Sequence, residues 1–135
     1  MTRLVTFVDV DEEVFDVRRV SLSARHEAVL ADGRRVLLLD DRGWSESGPP
    51  NIWALTSVED VARTARVVVG PDEPFGGHSH EDMASGHWAQ LAATLRQQGI
   101  DADARELRRL PHDVVLSPRL LARVGGSAPD DPAQR

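Results

Sequence analysis

Apolar and polar residues alternate, loosely, along the first forty positions, and the spacing then changes to that of helices. Arg3 to Val10 is rich in Val, Phe and Thr and predicts a strand. Asp11-Glu12-Glu13 reads as a charged turn. Val14 to Leu22 predicts a second strand, with Phe15 and Val17 on one side and Val20 and Leu22 on the other. Ala28 to Ala31 and Arg34 to Leu39 flank Asp32-Gly33. That dipeptide tolerates the positive φ of a tight hairpin, so two more antiparallel strands are expected there. Arg34 and Arg35 beside Leu37 and Leu39 imply a sheet that meets water on one face for part of its length.

Asp40 to Pro50, punctuated by Gly43, Gly48, Pro49 and Pro50, reads as a loop. Beyond it, Thr56 or Ser57 caps a helix, with Glu59 or Asp60 three residues on. Val58, Val61, Ala62, Ala65, Val68 and Val69 would turn toward the sheet. The stretch Arg66 to Val69 suits either a helix end or a short strand, because β-branched residues favour the latter. Ser79 with Asp82 opens the strongest helix, whose stripe is Ala84, His87, Trp88, Leu91, Ala92 and Leu95 and which stops at Gly99. Asp101 is expected to cap a short helix over Ala102 to Leu110, closed by Pro111. Asp113 to Leu116 fits a strand, and Ser117-Pro118 a final helical turn through Val124. The expectation is a single α+β domain over residues 1–124 with a flexible tail over 125–135. Its two layers are an N-terminal antiparallel β-meander of about four strands and the C-terminal α-helices packed on it.

Composition narrows the chemistry. The 135-residue chain is long enough for one self-supporting core. It has no cysteine, which excludes disulfides, thiolate metal sites and cysteine nucleophiles and favours a reducing, cytoplasmic location. The N-terminus lacks a signal-peptide pattern, and no apolar run approaches the length needed to span a bilayer, so no membrane association is expected. The net charge is −6 without a basic stripe, which argues against nucleic acid as a partner. With no Lys and no Tyr, catalysis by either is excluded.

Three groups of residues remain as candidates. His78 and His80 lie before a helix, and with a remote ligand such as His112 or His26 they would suit zinc. His80 and His87 would stand about 10.5 Å apart along a helix, too far to share an ion. The acidic clusters Asp9 to Glu13, Asp40-Asp41 and Asp72-Glu73 lack the glycine and spacing of a calcium loop and read as solvated turns. Trp44 and Trp53 bracket a polar loop containing Asn51, and a loop tryptophan offers a large contact area with few torsions to freeze. The alternative is that both cap the end of the sheet. No nucleophile elbow, phosphate loop or dinucleotide fingerprint occurs, so catalysis is neither assigned nor excluded.

The favoured expectation is a non-catalytic module that binds another protein, of the accessory, antitoxin-like or immunity-like kind, through Trp44, Trp53 and Asn51. It implies no cofactor. A metal-binding protein or metal-dependent hydrolase using His78, His80 and His112, with zinc, is the second reading. A small-molecule enzyme or carrier is the third, with a pocket between sheet and helices and His87 or His112 moving the proton. A pocket of about 300–1,000 Å³ reaching either histidine would favour it.

Overall fold

A computed structural model describes residues 1–11 and 16–125. The sheet begins with three antiparallel strands, β1 (Arg3–Val10), β2 (Arg19–Val29) and β3 (Arg35–Ser47). Five helices and a fourth strand follow: α1 (Ile52–Leu55), α2 (Val58–Val68), α3 (His80–Gln97), α4 (Ala104–Arg109), β4 (His112–Leu116) and α5 (Pro118–Leu121). The sheet order is β3-β2-β1-β4, and β4 lies parallel to β1. The class is α+β, as the patterning implies. The fourth strand, however, comes from the far end of the chain and not from the first forty residues.

Leu22 and Ala28, expected on separate strands, belong to one. From Arg19 to Val29, Val20, Leu22, Ala24, His26 and Ala28 are all buried. An imidazole at an inward position is what interrupts the apolar alternation there. The hairpin after β2 forms around Gly33, whose φ of +89° suits a residue without Cβ. Gly33 N–H donates to the Leu30 carbonyl, and Leu30 N–H to that of Arg34, so the connection is a three-residue loop and not a two-residue one. β3 then continues to Ser47, which makes strand of most of the expected Asp40–Pro50 loop. From Arg42 to Ser47 each residue pairs with β2, Trp44 opposite Leu22 and Gly43 opposite Ser23. The N-terminal part of the expected Val14–Leu22 strand and the tail beyond Gly125 lie outside the described residues.

α2, α3 and α5 start where their caps predict. Ser57 accepts from Asp60 N–H. The stretch up to Val68 is helical, so the β-branched ambiguity resolves in favour of α2. Ser79 and Asp82 form a reciprocal capping box: Ser79 Oγ accepts from Asp82 N–H at 3.1 Å, and Asp82 Oδ2 accepts from Ser79 N–H at 3.2 Å. Ser79→Ala should therefore lower stability by about 1 kcal/mol, read as a smaller urea midpoint at unchanged m-value. Asp103, not Asp101, caps α4, because its carboxylate reaches Arg105 N–H at 2.7 Å.

Two apolar clusters fill the space between sheet and helices. Val8, Val10, Val20 and Leu22 pack with Ile52, Trp53, Val61, Ala65 and Leu120. Leu4, Ala28 and Leu38 pack with Leu91, Ala92, Leu95 and Leu107. Along β1 and β2 the residues that separate the clusters are Thr6 and His26, and both are buried. No helix among the described residues is long and apolar enough to cross a membrane.

Candidate functional site

The two loop tryptophans of the sequence have different surroundings. Trp53 sits in α1 at 9 % exposure, within the first apolar cluster. Its indole N–H donates to the Asp16 carbonyl at 3.2 Å, and the Arg123 guanidinium lies 5.5 Å from its ring centre. Asn51 stands exposed at the N-cap of α1 and makes no side-chain capping bond. Trp44 projects from β3, the sheet edge, and is only partly buried. It borders a groove of about 400 Å³ between β3 and the α1–α2 region, with Leu22, Ile52, Leu55 and Val61. Leu55 is 63 % exposed. Glu46, Asp60 and Arg63 also line the groove, the last two ion-paired. Trp53 thus supports from within a wall whose outer surface Trp44 and Leu55 share.

The histidines are likewise divided. His78 and His80 are exposed at the start of α3, with His78 Nδ1 3.9 Å from Asp82. His112, at the start of β4, takes no part in that group. Its Nε2 lies 2.6 Å from Thr6 Oγ1, and the same hydroxyl lies 2.9 Å from His26 Nδ1. The His26 and His112 rings meet edge to face at 5.0 Å. Among the described residues no three His, Asp or Glu side chains gather as a metal would require. The expected His78, His80 and His112 set is therefore not assembled: the third ligand is occupied across the sheet.

The His26–Thr6–His112 chain has a definite proton logic. A threonine hydroxyl carries one hydrogen. Between two neutral imidazoles it donates to one and accepts from the other, so the two tautomers are linked. Both rings are shifted toward the neutral form. Burial, and then the neighbouring His112, His87 and Arg42, lowers the His26 pKa to about 3. Burial and Arg66 lower that of His112, against the opposing pull of Asp113.

His87, on α3, borders a separate hollow of about 370 Å³ with Arg42, Asp72, Phe75, His78 and Met83. Its pKa is lowered by burial first and by Arg42 second, and raised by Asp72.

Comparison with known proteins yields no match: neither a family model, nor a curated protein, nor a solved structure is similar to this chain.

The geometry offers a mainly polar groove edged by Trp44 and Leu55, a buried relay, and a mainly apolar hollow with charged residues at its rim. The relay lies between the two packed clusters, and its members are Thr6 and His26, both fully buried, with the half-buried His112. It links strands more readily than it meets a substrate. His26 is expected from the sequence only as a remote zinc ligand, and Thr6 draws no notice there because threonine is ordinary in a strand. Only the β1–β2 register, which sets Thr6 opposite His26, reveals them as a pair.

Proposed function

We propose that the protein is a non-catalytic binding module of a reducing, cytoplasmic compartment, with the Trp44 groove as its recognition surface for another protein. The observation that supports this reading is the position of Trp44. It lies on an edge strand, beside a groove that also holds a largely exposed leucine. Partly exposed tryptophans with an apolar neighbour and polar surroundings are the usual anchors of protein interfaces. Glu46 in the groove, where Asp60 is already paired with Arg63, and the acidic net charge favour a partner that brings an apolar side chain flanked by a basic one.

The test is affinity capture from native lysate with wild type, Trp44→Ala and Val67→Ser run in parallel, each checked for folding by circular dichroism. Val67 is exposed on α2 and does not line the groove. One stoichiometric protein should be retained by wild type and Val67→Ser and lost, by tenfold or more, with Trp44→Ala; about tenfold corresponds to removal of a modest hot spot. Identical capture by folded Trp44→Ala would rule the groove out.

A second reading has an observation of its own. The hollow at His87 falls within the size range of small-ligand sites, about 300–1,000 Å³, and reaches one of the histidines expected to handle a proton.

A further inference from the structure

Three features of the His87 hollow point to the chemistry of an occupant. The first is Arg42. Its Nη1 donates to the Val68 carbonyl at 2.9 Å, while Asp41 and Asp72 stand at 3.6 and 3.8 Å, ion-paired but beyond hydrogen-bond length. A guanidinium has five N–H groups in a fork that matches a carboxylate. Among the described residues only one of them is committed to a hydrogen bond.

The second feature is His87 itself. It is half-buried and packs edge to face on Trp88, with ring centres 5.1 Å apart. No hydrogen bond to its ring nitrogens is formed among the described residues, so an imidazole faces the hollow uncommitted.

The third is Gly86. A glycine inside an 18-residue helix costs about 0.5–1 kcal/mol relative to alanine. Packing gives no reason for it, since a Cβ at Gly86 would meet nothing within 4 Å. What the missing side chain leaves open is the hollow that Gly86 lines.

The remaining lining sets the ligand's charge. Asp72 and Asp82 face the same space as Arg42, which disfavours a dianion such as a phosphate. Phe75, 66 % exposed, and Met83 provide an apolar wall. We propose that this hollow binds a small zwitterion, an α-amino acid with an aromatic or large apolar side chain. Its carboxylate meets Arg42 and His87, its ammonium group meets Asp72 and Asp82, and its side chain lies on Phe75 and Met83.

The experiment is a ¹H–¹⁵N NMR titration of the full chain with L-phenylalanine, phenylalaninamide and 3-phenylpropionate, the last two each lacking one charge. L-Phenylalanine should shift the amides of Phe75, Met83, Gly86 and His87 saturably, with a Kd on the order of 1 mM for a ligand of about a dozen heavy atoms. Each analogue should bind at least about tenfold more weakly, the loss of one charge-assisted contact. Gly86→Leu, a strong helix former with open space at its Cβ, should stay folded and abolish the saturable shifts. The proposal is overturned by binding of 3-phenylpropionate alone, by equal binding of all three compounds, by unchanged binding in folded Gly86→Leu, or by no saturation with L-phenylalanine at about tenfold the expected Kd.

Discussion

Taking the protein from about pH 7 to about pH 5 should remove about 2 kcal/mol of folding stability through His26 alone. In the unfolded chain this imidazole protonates near its ordinary 6.5, whereas in the fold it stays neutral down to about 3. Its folded pKa is depressed, so the stability it contributes is complete above pH 6.5 and is lost as the pH falls toward about 3. The cause is chiefly burial, reinforced by the positive charge of Arg42 and by coupling to His112 and His87. His112 and His87 are shifted in the same direction and add to the loss. Asp9 acts in a lower window. Its carboxylate is held at about 2, mainly by the hydrogen bond from Arg119, so its contribution fades only below its ordinary 3.8. The interval from about pH 5 to 6.5 therefore isolates the histidines. Urea unfolding at about pH 7, 6 and 5 should show a falling midpoint for wild type and a distinctly flatter dependence for His26→Leu. Parallel curves for the two proteins would show that His26 does not carry the effect.

Thr6→Val should cost about 1–3 kcal/mol although the two side chains have nearly the same shape. Valine removes the one hydroxyl that serves both His26 Nδ1 and His112 Nε2. His112 is half-buried and is able to turn to water, but His26 is 1 % exposed and has no such outlet. Its ring nitrogen is left with the full penalty of an unmet polar group in a packed interior. Thr6→Ser keeps the hydroxyl and loses only a methyl group, so it should retain more stability than Thr6→Val despite the cavity it opens. Denaturant midpoints of the two variants decide the matter. If Thr6→Ser is the weaker of the two, packing and not the hydrogen-bond chain dominates at this position.

Local chemistry was readable where it is local. The caps at Ser57, Ser79 and Ser117 act through side chains within three residues of their targets, so their spacing is sufficient. Gly99, at φ +81°, stops α3 for the same kind of reason. Long-range pairing was not readable. His26 looks like a gap between strands until its register with Thr6 shows it pointing inward. Asp40 to Ser47 looks like a loop because charge, Gly43 and serine dominate it, yet backbone pairing with β2 keeps it in the sheet, where an edge position tolerates such residues. The same misreading placed Trp44 beside Trp53 on one loop. They are a strand residue and a helix residue, and only the first is substantially accessible from the groove. The Arg42–His87 hollow joins positions 45 residues apart, a distance in sequence that no motif bridges.

The parallel pairing of β4 with β1 sets a timetable for the newborn polypeptide. Leu4 and its neighbour His112 are made more than a hundred residues apart. Until the second is made the meander carries two raw edges, and one of them belongs to the strand that ends up in the interior of the sheet. The helices made in the interval form the crossover that brings β4 back to β1. Closure is thus a late and non-local event, of the kind that slows folding and leaves an interval in which another chain's strand could take the vacant place. Arg3 and Asp9, at the two ends of β1, form ion pairs with Asp113 and Arg119 when that place is filled. Opposite charges at both ends of the seam favour the correct late arrival over a foreign strand.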